Sequence, residues 1–182
     1  MRQATPASPN AVPLLTGCDD MSTKDDIDRV WDIVEKVGVC MLTTLSDGGL
    51  RARPLEARPD RDAGLIFFAT DIHSAKEHEI EVAHDVGLVF IDSSDKAYLS
   101  ITGRACVTRD ADKLKAAWRK TDEVWWSSPN SPDVCLLRIE PVTAELWDGP
   151  ASTAITTFEF VKAKVTGKEP NLGENRKVTV KM

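Results

Sequence analysis

The sequence holds four cysteines and three histidines, none at a spacing that grips a metal. Cys18, Cys40, Cys106 and Cys135 form no CxxC pair. His73, His78 and His84 make neither HxH nor HxxxH, and the step from His78 to His84 takes them off one helical face. No metal centre is therefore expected. Positive charge is also short: the net charge of −6 leaves no basic surface for a phosphodiester backbone or an acidic lipid. Nucleic-acid binding is not expected, and any anion must be held locally by a few placed groups. No apolar run approaches the ~20 residues of a membrane span. Leu15-Thr16-Gly17-Cys18 has the outline of a lipoprotein cleavage site, but Pro6, Pro9, Asn10 and Pro13 break any apolar core before it. There is no internal repeat, no GxGxxG and no GxSxG, which removes the doubly wound nucleotide folds and the usual serine hydrolases.

What is present is enough for one domain with a real core: 182 residues, 42% of them hydrophobic. Three cysteines lie in apolar runs (Val39 to Leu42, Ala105 to Val107, Val134 to Leu137) and are expected as buried, reduced thiols. That suits a reducing, cytoplasmic setting. Residues 1–20 read as a flexible extension or a misassigned start, residues 21–150 as the folded domain, and residues 151–182 as a helix and tail packed on it.

Ser22-Thr23-Lys24-Asp25 offers a helix N-cap, Ile27, Val30, Trp31, Val34 and Val37 recur at helical spacing, and Gly38 stops the helix. The period then becomes that of strands. Val39 to Leu45 leads into the turn signal Asp47-Gly48-Gly49, and Leu50 to Ala57 returns. Arg58 to Ala63 reads as a polar loop and Gly64 to Thr70 as a buried strand. A short helix from His73 to Ala83 follows, then strands Val86 to Asp92 and Lys96 to Arg109 across a Ser93-Ser94-Asp95 turn. Asp110 to Lys120 reads as a helix with Leu114 and Trp118 on one face, and Thr121 to Asp133 as a Pro/Ser-rich loop. Val134 to Trp147 reads as a long strand with Pro141 as a bulge or edge point. Phe158, Val161 and Val165 favour a helix over 153–165, and 167–182 reads as an unpatterned tail. Six strands with short connections predict an antiparallel, mainly β (α+β) fold, a closed or split barrel with flanking helices.

Two segments carry candidate chemistry. In Thr70-Asp71-Ile72-His73-Ser74-Ala75-Lys76-Glu77, Ser74 and Glu77 have capping-box spacing, which opens a helix and puts Lys76 in its first turn. The macrodipole disfavours a cation there, and a bound anion reverses the sign. Free amides, a hydroxyl and an ammonium together describe a phosphate site; a solvated helix start is the competing reading. In Arg51-Ala52-Arg53-Pro54-Leu55 the two arginines fall on one strand face, and Pro54 places the strand at an edge. A guanidinium there can take a phosphate in bidentate fashion, or merely be solvated. Trp31 and Trp118 read as core. Trp125 and Trp126, adjacent in a Pro/Ser loop, read as covering a ligand or a partner subunit, and Trp147 ends the last strand where barrel-mouth residues reach ligands.

The order of these features (helix, hairpin with RxRP, Phe-Phe-Ala-Thr, SxK at a helix start, Tyr-x-Ser-x-x-Gly, loop tryptophans, strand ending in Trp) resembles the pyridoxamine-phosphate-oxidase-like FMN-binding split barrels, in particular the general stress protein 26 group. The resemblance runs from about Met21 to the end, including Gly167-Lys168-Glu169-Pro170 and Gly173-Glu174-Asn175. It implies a six-stranded split barrel and a homodimer with FMN at the interface. By resemblance, Arg53, Pro54, Leu55 and Glu56 line the isoalloxazine and phosphate, with Arg51 as a helper. Ala69 and Thr70 meet the ribityl-phosphate region, Ser74 and Lys76 the phosphate, and Tyr98 and Trp147 the flavin; Trp125 and Trp126 shape the substrate side. The implied activity is an oxidoreductase passing hydride through FMN to a small-molecule substrate, or alternatively a module that binds, buffers or senses FMN without turnover. No residue is singled out as general acid or base. True pyridoxamine phosphate oxidases carry a basic residue where Glu56 stands and an Arg/His-rich C-terminal segment where Asp148-Gly149-Pro150 follows Trp147. Vitamin-synthesis oxidase activity is therefore not expected.

Overall fold

The computed structural model describes residues 24–148, 164 and 174–178. The expected extension over 1–20, the Ser22 cap and the helix over 153–165 lie outside the described residues, apart from the single position 164. Helix α1 (Lys24–Val37) carries Asp25 and Asp26 in its first turn and Lys36 in its last, charges that complement the macrodipole. It buries Val30, Trp31, Ile33 and Val34. Gly38 ends it in the left-handed region at φ 70°, where a side chain would be strained.

The strands are β1 (Val39–Ser46), β2 (Gly49–Glu56), β3 (Arg58–Asp60), β4 (Leu65–Asp71), β5 (Asp85–Asp92), β6 (Ala97–Thr108), β7 (Val134–Asp148) and β8 (Glu174–Val178). Helix α2 (Ala75–Val82) follows β4; α3 (Ala111–Ala117) and a 3-10 turn (Lys120–Val124) follow β6. The sheet is antiparallel throughout, in the order β2-β1-β5-β6-β7-β4-β3, with β8 added to β7. Its two end strands, β2 and β3, are one stretch of chain interrupted only at Ala57, whose N–H donates to Gly38 O at 2.6 Å. The sheet therefore curls until its ends are joined through the backbone, and a main core fills the inside, including Leu42, Phe68, Leu88, Phe90 and Leu137. No helix among the described residues is long and apolar enough to cross a membrane.

Among the described residues there are eight strands where the sequence predicts six. One addition, β3, lies in the stretch read as a polar loop: Arg58 is buried because Asp122, itself buried, accepts from its guanidinium at 2.5 Å. The other, β8, falls in the tail read as unpatterned and pairs Glu174–Val178 with the end of β7. One edge of β7 is shared: β4 takes Val134 to Ile139 and β8 takes Ala144 to Asp148. The change falls at Pro141, where the register against β6 slips between Thr102 and Gly103, the bulge the sequence predicts. Gly103 is required there, since a Cβ would stand 2.8 Å from Ile139 Cγ2 and 2.9 Å from Glu140 O.

α3 stops at Ala117, short of the expected Lys120, because the chain turns extended at Trp118. Trp118 is thus partly buried at the rim of a smaller cluster containing Leu65, Phe67, Leu114 and Leu136 rather than in the main core. Cys40 and Cys135 are free and buried, and burial pushes their thiols up to about 12 and about 11. Cys106, expected to be buried, is exposed: strand alternation turns it outward, opposite Arg138.

Candidate functional site

Strand parity builds the site. Arg51 and Arg53 sit across from Thr44 and Leu42 of β1, both buried, so all four share the inner face of the sheet. The helix α2 brings Glu79 to that face, where it is only 7% exposed. Thr44 Oγ1 donates to Glu79 Oε2 at 2.5 Å, Arg53 Nη2 donates to the same oxygen at 2.6 Å, and Arg51 Nη1 donates to Oε1 at 3.2 Å. Arg53 Nη1 also donates to Thr44 Oγ1 at 2.7 Å, closing a three-residue ring. Burial alone would raise the Glu79 pKa, but the hydrogen bonds from Thr44 and Arg53 and the two arginine charges outweigh it and hold the carboxyl below its ordinary range. Thr44 and Glu79 were not singled out in the sequence. The available signal was an acid one turn beyond Lys76 and next to Ile80, the other buried residue of α2.

Lys76 is the second residue of α2 and is partly buried. Desolvation, with Arg53 as a nearby like charge, lowers its pKa from the ordinary lysine value. Ser74 is the N-cap, as the sequence predicts, but the capping box is not formed: its side chain makes no cap hydrogen bond. Instead Ser74 Oγ is a buried hydroxyl without a partner. So two arginines share one carboxylate, and Lys76 lies near Arg53 with Asp71 and Glu79 both within electrostatic reach, beside an unsatisfied hydroxyl and helix amides without a side-chain cap. A cleft of about 340 Å³ opens next to this cluster, between the β1–β2 turn and α2; Ser46, Asp47, Arg51, His78 and Glu79 line it, whereas Arg53, Ser74 and Lys76 do not. This donor set fits a phosphate monoester in charge and in hydrogen-bonding capacity.

The other predicted residues fall elsewhere. β2 does form an end of the sheet, and Pro54 faces Met41 across the β1–β2 ladder. Leu55 lies inward and packs on the main core, while Pro54 and Glu56 turn outward. Glu56 is not free: it accepts from Arg119 Nη1 at 2.6 Å. Arg119 N in turn donates to Asp122 Oδ2 at 2.8 Å, so a charged network ties the tryptophan loop to the RxRP strand. Trp126 packs against Trp118 with ring centroids 6.5 Å apart, whereas Trp125 is 77% exposed. Thr70 is buried, its carbonyl accepting from Cys135 Sγ at 3.6 Å, with Ala69 beside it. Tyr98 and Trp147 are cross-strand partners on the outer face. They stand three and four strands along the sheet from β2. Among the described residues no group of three His, Cys, Asp or Glu side chains is placed to hold a metal.

The family model described as pyridoxamine 5'-phosphate oxidase like matches residues 25–171. The chain belongs to that family. General stress protein 26 of Bacillus subtilis is 24% identical over 140 residues, 75% of this chain and 98% of its own length. A general stress protein 26 from Jannaschia sp. CCS1, of known crystal structure, is 26% identical and superposes with a TM-score of 0.70 over 87% of this chain and 100% of its own. The general stress FMN/FAD binding protein of Xanthomonas citri, at 24% identity and TM-score 0.63 over 71% of this chain and 93% of its own, shares the fold. All three of these relatives are named general stress proteins.

Proposed function

We propose that this chain is an FMN-binding flavoprotein of the general stress type, a split-barrel homodimer with FMN at the subunit interface, and an oxidoreductase that passes hydride through the flavin to a small molecule. The observation that carries the reading is the convergence of Arg51 and Arg53 of β2 on Glu79, with Lys76 held close to Arg53 and the Ser74 hydroxyl left unpaired. In this reading Arg53, Lys76 and Ser74 hold the phosphate, with Arg51 at its edge. The ribityl chain passes Ala69 and Thr70, and Pro54, Leu55 and Glu56 present backbone to the ring. When bound, the flavin supplies the two-electron chemistry, and the protein supplies position and electrostatics.

A second copy of the chain is part of the proposal. Val39, Met41 and Leu45 of β1, Leu50 of β2, Val89 and Ile91 of β5 and Tyr98 of β6 form an exposed apolar face. Exposed apolar area on this scale marks an interface. Tyr98 and Trp147 are cross-strand partners on that face, three and four strands along the sheet from β2. A two-fold partner brings them to the other copy's flavin, with Trp125 and Trp126 on the substrate side. An acid, Glu56, stands where true pyridoxamine phosphate oxidases carry a base, and it is paired with Arg119, which argues against a vitamin phosphate as the substrate.

An absorption spectrum of the purified protein, before and after adding FMN, tests the reading. The visible flavin bands and a dimer by light scattering are the expected result; a colourless protein that cannot be reconstituted overturns it. Anaerobic mixing with NADH or NADPH tests turnover. Bleaching of the flavin band supports the oxidoreductase, and a flavin that both nicotinamides leave oxidised favours a binding or sensing role.

A further inference from the structure

Glu79 is an odd residue to find beside an anion site. A buried carboxylate next to a phosphate repels it, and a site that had only to attract would be stronger without one. Its contacts explain its presence. Arg53 is long and flexible, and an arginine reaching over a sheet end has many rotamers to lose on binding. Here two of its N–H groups are fixed, one on Glu79 Oε2 at 2.6 Å and one on Thr44 Oγ1 at 2.7 Å. The Thr44 hydroxyl is itself locked by donating to Glu79 at 2.5 Å. Two of the five guanidinium N–H donors are thereby used for placement, and three remain for a ligand. Arg51 and Arg53 still outnumber the carboxylate they share, which leaves positive charge to meet a phosphate.

We infer that Glu79 is a positioning residue for phosphate: with Thr44 it preorganises Arg53, and it acts on FMN only through the phosphate end. The inference rests on the proposed flavin site. Preorganisation raises affinity by removing ordering cost at the moment of binding. The loss of positioning on removing Glu79 outweighs the relief of its repulsion, because its negative charge is already spent on two arginines.

Riboflavin, which is FMN without the phosphate, is the control ligand. Flavin fluorescence titrations are run with wild type, Glu79→Gln and Thr44→Val; the last removes the bridging hydroxyl without changing charge, so it carries the test even if Glu79→Gln misfolds. Both variants are expected to weaken FMN, Glu79→Gln by about tenfold, while riboflavin affinity stays at the wild-type value. Unchanged or tighter FMN binding overturns the inference, since Glu79 would then act only as a repelling charge. Equal losses for FMN and riboflavin also overturn it, since the role would then be structural. If wild type binds neither ligand, the flavin reading itself fails, and the positioning role fails with it.

Discussion

Replacing Lys76 by Met is expected to move two quantities in opposite directions. The substitution keeps the aliphatic stem and removes the ammonium. In the unliganded protein that charge sits in the first turn of α2, partly buried and near the Arg53 guanidinium. A cation at a helix start costs ~0.3–1 kcal/mol, so its loss should raise the melting temperature of the apoprotein by ~1–4 °C. With phosphate bound the sign reverses. A charge-assisted hydrogen bond to phosphate contributes ~1.5–3 kcal/mol, which corresponds to roughly 10–150-fold in Kd. Differential scanning fluorimetry of the apoprotein and a fluorescence titration with FMN read the two effects separately.

The pH dependence carries the same sign. The lysine pKa is lowered in the folded state, so as pH rises the native protein sheds that proton before the unfolded chain does. Apoprotein stability should therefore rise across the alkaline window between the folded value and the ordinary lysine value, and FMN affinity should fall over it. Lys76→Met should flatten both curves. An FMN affinity within about threefold of wild type, ~0.6 kcal/mol, would place the phosphate elsewhere. A lower apoprotein melting temperature in the variant would refute the claim that the unliganded cation is unfavourable.

Three other substitutions probe the frame. Ile91→Asp puts a charge in the middle of the exposed apolar face and should give a monomer by light scattering, with FMN lost alongside; a flavin-loaded monomer would count against an interface site. Asp122→Ala strands the buried Arg58 guanidinium and should cost ~3–5 kcal/mol by urea unfolding, whereas pairing it with Arg58→Met should restore most of that stability. Asp92 is held well below the usual carboxylate range, chiefly by Lys36 at 2.6 Å and the Ser94 hydroxyl. Its contribution is present at neutral pH and begins to fade once pH falls below the ordinary carboxylate value, so Asp92→Asn should lower the melting temperature at pH 7 and lower it by progressively less as the pH is taken below that value.

Local signals carried much of the fold. The stripe ending at Gly38 marked α1, and Asp47-Gly48 marked the first hairpin, because both are written within a few residues of themselves. β3 was hidden because Arg58 looks solvated until Asp122, 64 positions later, neutralises it. The site divides the same way. Strand parity alone placed Arg51 and Arg53 together, and helix-start chemistry alone placed Ser74 and Lys76. What neither could supply was the carboxylate between them, since Glu79 is 26 positions from Arg53 and 35 from Thr44. The capping box failed for a related reason: local spacing fixed the N-cap position of Ser74, but not where its hydroxyl points.

That hydroxyl belongs to a wider pattern of charge. Lys36 meets Asp92 and Asp95; Arg61 meets Asp28 and Asp32; Arg119 meets Glu56; Arg58 meets Asp122. In each of these groups the acids equal or outnumber the base, as expected in a chain of net charge −6. Around Glu79 the ratio is inverted, and Lys76 is pressed toward a second cation while a buried hydroxyl goes unpaired. A fold whose parts otherwise agree tolerates such a conflict where a ligand resolves it. Phosphate reverses each unfavourable feature at once: it offers an acceptor to Ser74, a counter-charge to Lys76 and Arg53, and an anion to the helix start. The combination, rather than any one of the three, is what supports the proposed phosphate site at the start of α2.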